Sequence, residues 1–209
     1  MSCKILAFDT TSGGFSVAIL FDNKIISSKN IDESGIQAEM LVPTIEECLI
    51  FAKIWYQDLD YIAVTNGPGS FTGVRVGMSV AKAISLASNL PLIGIGSLEA
   101  IAYSYKNSGY NKILVAIDAR MDEFFIQEFQ LLNSKLIANY EAKLVSMQDV
   151  ENYYPKEDFL LVGTNKNDVI TAENIAFAAQ EIIDQNYNQN QNFSADMVYI
   201  REPRISKRK

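Results

Sequence analysis

Asn66-Gly67-Pro68-Gly69-Ser70-Phe71-Thr72-Gly73-Val74-Arg75-Val76-Gly77 is the stretch on which the fold turns. It lies between a compact apolar run, Tyr61 to Thr65, and a helical pattern, Thr72 to Ser88, that stops before Pro91. The local reading is strand, turn, helix. Backbone N–H groups at a helix start lack partners and carry partial positive charge, so such a turn can hold a phosphate. Gly67, Gly69 and Gly73 remove side chains that would block close approach, and Ser70 and Thr72 can cap the helix or donate to an oxygen. A Walker A loop needs Gly-Lys-Ser/Thr, whereas Val74-Arg75 follows Gly73. A dinucleotide loop needs an acid at the end of the next strand, and Glu99 arrives only inside a following helix. A tight strand-to-helix turn without any ligand is the remaining alternative, and the stretch alone leaves it open.

Working outward, Ile5 to Phe8 is an apolar run ending at Asp9, and Thr10-Thr11-Ser12-Gly13-Gly14 reads as a turn. Phe15 to Leu20 and Lys24 to Asn30 read as strands joined at Asp22-Asn23. Ile36 to Ile54 is helical, with Leu41, Ile45, Cys48, Leu49 and Ala52 on one stripe, and Pro43 starts or kinks a segment of it. Leu92 to Ile95 is a further strand, and Ser97 is placed to cap a helix running through Tyr105. The second half opens as the first did: Ile113 to Asp118 parallels Ile5 to Asp9. The hairpin Glu123 to Gln130 with Lys135 to Tyr140 repeats the first one at a shift of about 109 residues. Two lobes on one plan is the economical reading, 1–100 and 101–209, with chance similarity of two hairpins as the alternative. Asn186 to Asn192 is polar and of low complexity, read as a loop before a last strand, Met197 to Ile200.

Composition narrows the chemistry. The 209 residues include no histidine, which removes Ser-His and Cys-His dyads and every metal site built on imidazole. Two cysteines, Cys3 and Cys48, make no disulfide framework, and the expected compartment is a reducing cytoplasm. No apolar run exceeds five residues, so no membrane span is expected, and Met1 to Thr10 does not read as a secretory signal. The net charge of −7 divides into +4 on residues 201–209 and −11 on the other 200. An acidic body argues against broad nucleic-acid binding, while the basic segment is suited to RNA or an acidic partner, or is simply a solvated end.

Asp9 and Asp118, each ending a strand and followed by a turn, are placed as nucleotide clefts of the actin-kinase kind place theirs. Together with Gly67 to Gly77 and Ala81-Lys82-Ala83, the chain resembles the TsaB (YeaZ) family. Supporting matches are Asp9-Thr10 with Ser16-Val17-Ala18, Leu41-Val42-Pro43, Ser97-Leu98-Glu99-Ala100, Asp118-Ala119-Arg120 with Glu123, and Tyr199-Ile200-Arg201.

The resemblance implies an α/β, actin-like (ribonuclease-H-like) fold of two lobes, the second reduced because the chain is short after Ala179. It implies a non-catalytic partner role in making threonylcarbamoyladenosine in tRNA. The partners would be a TsaD-like transferase paralogue and a TsaE-like P-loop ATPase, with a homodimer when the chain is alone and tRNA met only through the complex. The paralogue carries a His-x-x-x-His metal site on its first long helix, and here Gln37 and Leu41 stand there, so no catalytic or metal residue is expected. ATP or ADP near Asp9, Thr10, Gly67, Gly69, Ser70, Thr72, Gly73 and Asp118 remains an expectation, with no cofactor required. Met40, Val42 and Ile50 lie off the core stripe of their helix, and Val74 with Met78 suggests a second apolar face on the next. With Arg75 and Lys82 they form the expected partner interface; burial of both faces within the lobe is the plainer alternative. A stand-alone ATP hydrolase or sugar-kinase-like enzyme is the competing function. A glycopeptidase-like protease lacks a nucleophile–base pair.

Overall fold

Consecutive apolar residues in a short strand mean burial on both faces, and Ile5 to Phe8 within β1 (Lys4–Asp9) show what that builds. Ile5 and Ala7 face one core, Leu6 and Phe8 the other. The computed structural model describes residues 2–153, 159–165, 168–186, 195–198 and 200. β1 is the centre of a five-stranded sheet in the order β3-β2-β1-β4-β5, made with β2 (Phe15–Phe21), β3 (Lys24–Ile31), β4 (Tyr61–Gly67) and β5 (Leu92–Gly96). β2 runs antiparallel to β1, with Asp9 opposite Ser16, whereas β4 and β5 run parallel to it. Asp22 and Asn23 both take positive φ, the turn whose twist suits a two-residue hairpin.

The second sheet repeats the plan. β6 (Lys112–Asp118) pairs antiparallel with β7 (Glu123–Leu132) and parallel with β10 (Leu160–Val162); β8 (Lys135–Ala138) and β9 (Lys143–Ser146) both add to β7. Asn133 and Ser134 take the same paired positive φ as Asp22 and Asn23. Both sheets have five strands, but among the described residues no strand of the second corresponds to β5, its fifth member being β9 on β7. Two sheets built on a central strand, an antiparallel neighbour and a parallel one give the actin-like α/β fold.

The helices interlock the halves. α1 (Gln37–Ala52) and α2 (Phe71–Ser88) cover the outer face of the first sheet, over Leu6, Phe8, Val17, Ile19, Ile62 and Val64. Pro43 sits inside α1 on its solvent side, and the helix runs on past it. α3 (Ser97–Ser104) follows the first sheet, touches β4 and β5, and also packs on β6, β7 and β8 of the second. α5 (Ala172–Asn186) follows the second sheet but packs on β1 and β2. The two helices touch, so Ile5 and Ala7, Leu98 and Ile101, Ile113 and Val115, and Ile175 and Ala179 form one continuous core. α4 (Met147–Tyr153) closes the outer face of the second sheet, where Val150 meets Leu114, Ala116 and Ile126.

Three expectations are corrected. Gly96, not Ser97, is the N-cap of α3; the Ser97 hydroxyl lies 3.5 Å from that of Thr11 instead. Met197 and Val198 are not in a strand: this segment is tied to Asn66 by isolated hydrogen bonds rather than a ladder. β9, α4, β10 and α5 have no counterpart in the sequence reading. The loop expected at Asn186 to Asn192 begins with the last residue of α5, and its remainder, Tyr199 and the basic residues 201–209 lie outside the described residues.

Candidate functional site

Asp9 ends β1 and is 1% exposed. Its Oδ1 accepts the Thr11 N–H at 3.0 Å, the Thr11 hydroxyl at 2.7 Å and the Thr65 hydroxyl, and its Oδ2 accepts the Ser12 hydroxyl at 2.8 Å. A buried carboxylate with four donors fixes the β1–β2 turn and ties it to β4. Asp118 does a related job at the end of β6: its Oδ1 accepts the Arg120 N–H at 2.6 Å, again two residues on. Arg120, Met121 and Asp122 then turn through successive positive φ, and Asp118 is exposed. The two aspartates therefore share one local role, closing the turn that follows their own strand.

The glycine loop packs against that first turn. A Cβ on Gly73 would lie 1.9 Å from the Thr10 carbonyl oxygen, and one on Gly69 would lie 2.8 Å from the Thr11 Cβ. A Cβ on Gly77 would reach the Thr10 hydroxyl oxygen at 2.4 Å. That hydroxyl donates to the Gly73 carbonyl at 2.6 Å, and the Ser70 N–H donates to the Thr11 carbonyl at 3.1 Å. Ser70 caps α2, its hydroxyl accepting the Gly73 N–H at 3.3 Å and its carbonyl the Val74 N–H at 2.8 Å. Gly67, at φ 105, faces the Val198 carbonyl. Thr72 is exposed on the first turn of α2. The structure brings Asp9, Thr10, Gly69, Ser70 and Gly73 together, but the glycines admit neighbouring backbone and side chain where a phosphate would sit. The amides of Ser70, Gly73 and Val74 already have acceptors.

Glu99, on the first turn of α3 near this junction, has its carboxyl raised from the ordinary range. Burial is the main cause, Glu181 adds to it, and the Gly96 N–H opposes it. Among the described residues no group of three His, Cys, Asp or Glu side chains is placed to hold a metal ion.

Gln37 opens α1 as a clamp. Its amide nitrogen donates to the Gly13 carbonyl at 2.7 Å and its amide oxygen accepts the Gly35 N–H at 2.9 Å. Leu41, one turn on, is wholly buried against the first sheet. The two positions matched to the paralogue's histidines thus hold a turn clamp and a core residue.

The expected second face of α2 is corrected. Val74 and Met78 are 3% and 2% exposed, on the side of α2 that meets the sheet, and cannot reach a partner. Met40, Val42, Arg75 and Lys82 are exposed; the Arg75 guanidinium lies 3.5 Å from the centre of the Phe71 ring. Ile50, already read as lying off the core stripe, and three residues the sequence reading missed, Phe51, Trp55 and Leu86, carry the larger apolar exposure. Ile50 is 69% exposed, Phe51 77%, Trp55 69% and Leu86 86%. Trp55, just past α1, lines a shallow depression with Tyr56 and Gln57 and with Ala87 and Ser88 from the end of α2. Their signal was available as apolar side chains on the polar side of each helical period.

A sequence model described as TsaD, tRNA N6-adenosine threonylcarbamoyltransferase, matches residues 37–200. The chain is 29% identical over 187 residues to the tRNA threonylcarbamoyladenosine biosynthesis protein TsaB of Buchnera aphidicola subsp. Schizaphis graminum, covering 88% of this chain and 89% of that one. It is 33% identical over 128 residues to the protein of the same name in Escherichia coli strain K12, covering 61% of this chain and 55% of that one. The structure of YeaZ from Pseudomonas aeruginosa superposes with a TM-score of 0.79 at 25% identity, over 95% of this chain and 100% of that one. On the glycine loop, the paired aspartate turns and these matches, the chain belongs to the threonylcarbamoyltransferase-type family, in its TsaB (YeaZ) branch.

Proposed function

We propose that the chain is a non-catalytic assembly subunit for threonylcarbamoyl transfer to adenosine in tRNA. It pairs with a TsaD-like transferase paralogue, and the pair recruits a TsaE-like P-loop ATPase. The names of its relatives support the pathway. The observation that supports the pairing is the strong exposure of large apolar side chains toward the ends of α1 and α2: Ile50, Phe51 and Leu86, with Trp55 just past α1. Gln37 and Leu41, both engaged within the fold, support the transferase residing on the partner. In the paralogue's absence the same patch pairs with a second copy. No helix among the described residues is long and apolar enough to cross a membrane, and both cysteines are buried free thiols, which supports a cytoplasmic setting.

The test is co-purification and sizing with the paralogue, with and without ATP. Burying Phe51 or Leu86 is worth about 1.5–3 kcal/mol each. The double substitution Phe51→Ser with Leu86→Ser therefore weakens association at least about tenfold, a step of about 1.4 kcal/mol. Substituting Val74 and Met78 would only unfold the chain. Association unchanged in the double variant, or absent in the natural chain, rejects the proposal. ATP turnover by the purified chain, abolished by Asp9→Ala, would favour the hydrolase reading instead.

A further inference from the structure

Residues 195–198 return to the first sheet and rest across the end of β4, where the chain enters the glycine loop. Two hydrogen bonds tie them there, and both go to Asn66. The Val198 N–H donates to the Asn66 carbonyl at 2.9 Å, and the Asn66 side-chain amide donates to the Asp196 carbonyl at 3.0 Å. Two glycines make room for the segment. A Cβ on Gly67 would stand 2.9 Å from the Val198 carbonyl oxygen, and one on Gly94, in β5, would stand 3.1 Å from the Ala195 Cα. The same point beside Gly67 is 3.7 Å from a methyl of Val74, so the seat borders α2 as well as both strands.

The hold on the segment is slight. Ala195 packs against the core under α1 and α2, while Asp196, Met197 and Val198 are exposed. The Asn66 Oδ1 is buried there with no hydrogen-bond partner among the described residues, which opposes the seated state. A segment with little buried apolar surface and two hydrogen bonds opens far more readily than the sheet it lies on.

Its position is nonetheless a sensitive one. Asn66 leads directly into Gly67-Pro68-Gly69-Ser70, and Ser70 caps α2. The Ser70 N–H is bonded to the Thr11 carbonyl, and the Gly73 and Val74 amides are bonded to Ser70. A shift of Asn66 therefore reaches the first turn of α2 within a few residues, where Phe71 and Arg75 are exposed. We propose that residues 195–198 are a latch on this junction. Seated, they fix the glycine loop and the first turn of α2; released, they loosen both and leave the two sheets intact. By linkage, a partner that binds α2 in its fixed form also holds the latch shut. That second step rests on the proposed pairing with a transferase paralogue.

The experiment is amide hydrogen exchange on the full chain, natural and in two variants. Val198→Pro removes the donor to Asn66 at an exposed position, whereas Val198→Ala keeps the N–H and only shortens the side chain. Losing one hydrogen bond shifts a local equilibrium by roughly fivefold. Exchange at Ser70, Gly73 and Val74 should rise by that factor in Val198→Pro and stay natural in Val198→Ala, with β1 and β6 unchanged in both. Natural exchange at those three amides in Val198→Pro overturns the latch. So does equal loosening in Val198→Ala, which would assign the hold to the side chain. Lost protection in β1 and β6 overturns it too, because the segment would then be part of the core. Adding the paralogue to the natural chain should slow exchange at Ser70, Gly73, Val74 and Val198, again roughly fivefold. Unchanged rates in a complex that forms overturn the coupling to the partner. Failure to form a complex rejects the assembly reading instead, and the comparison of the three chains alone still decides the latch.

Discussion

At the scale of single residues, the glycine loop decides how the first lobe closes. Gly69, Gly73 and Gly77 lie where the β1–β2 turn and α2 meet, and Gly73 is the tightest: an added Cβ would stand 1.9 Å from backbone oxygen, with no flexible neighbour to yield. Gly73→Ala should therefore destabilise the fold by about 3 kcal/mol or more, since relief requires moving α2 or the turn. In a chain this size that lowers the melting temperature by roughly 6–12 °C, read by thermal denaturation. Gly13→Ala is the contrast, because nothing lies within 4 Å there and only its φ of 100 resists a side chain. Equal melting points for Gly73→Ala and the natural chain would show that the loop is not packed as described. The sequence marked these glycines as special but could not name their neighbour. A glycine that admits a phosphate and one that admits a carbonyl oxygen have the same identity and spacing. Gln37 was likewise legible only as the residue standing where a histidine was expected; that it clamps Gly13 and Gly35 depends on two turns brought together by the fold.

At the scale of elements, legibility followed periodicity. β1 to β5, α1 and α2 have long apolar runs or clear stripes and were readable within a residue or two at most ends. β9 and β10 span four and three residues, too short for a pattern to rise above chance. α5 buries Ala172, Ala176, Ala178 and Ala179, whose small side chains give weak contrast, and it runs into a polar, low-complexity stretch. No local signal could show that α3 reaches across to the second sheet and α5 to the first. Their contact is polar at one end: Lys106 pairs with Glu181, and burial with Glu181 nearby pushes the Tyr103 phenol up to about 12. Glu99 supplies a pH test of the α3 junction. Its raised folded value means the folded chain holds this proton more tightly than the unfolded chain. The group therefore favours folding in acid and loses that effect as pH rises from the ordinary carboxylate range through the raised value. Glu99→Gln retains an acceptor for the Gly96 N–H and removes the titration. Urea midpoints from pH 4 to 7 should converge for the two proteins in acid and separate in the variant's favour toward neutrality. Parallel midpoints across that range would contradict the burial of this carboxyl.

At the scale of the whole molecule, the exchange of helices bears on whether the division at residue 100 marks units that stand alone. The inner face of the first sheet carries Ile5, Ala7, Leu20, Ala63, Ile93 and Ile95, and α5, from the other half, packs on four of those strands. The second sheet depends in turn on α3 for the cover over Ile113, Val115 and Phe129. Exposing the large residues of one face costs about 1.5–3 kcal/mol each, and four of them already consume a typical total stability of 5–15 kcal/mol. A fragment of residues 1–100 should therefore fail to fold by itself, giving a collapsed circular-dichroism spectrum and poor amide dispersion in NMR. Adding residues 101–209 in trans should restore both, because α5 arrives with the second fragment and the break, at the middle of α3, leaves both sheets unbroken. A natively folded 1–100 fragment would mean that α5 adds little to the first sheet, and the two halves would then be lobes in the full sense of independent units. Recovery only on mixing makes them one cooperative body, whose two sheets are held by helices each half lends to the other.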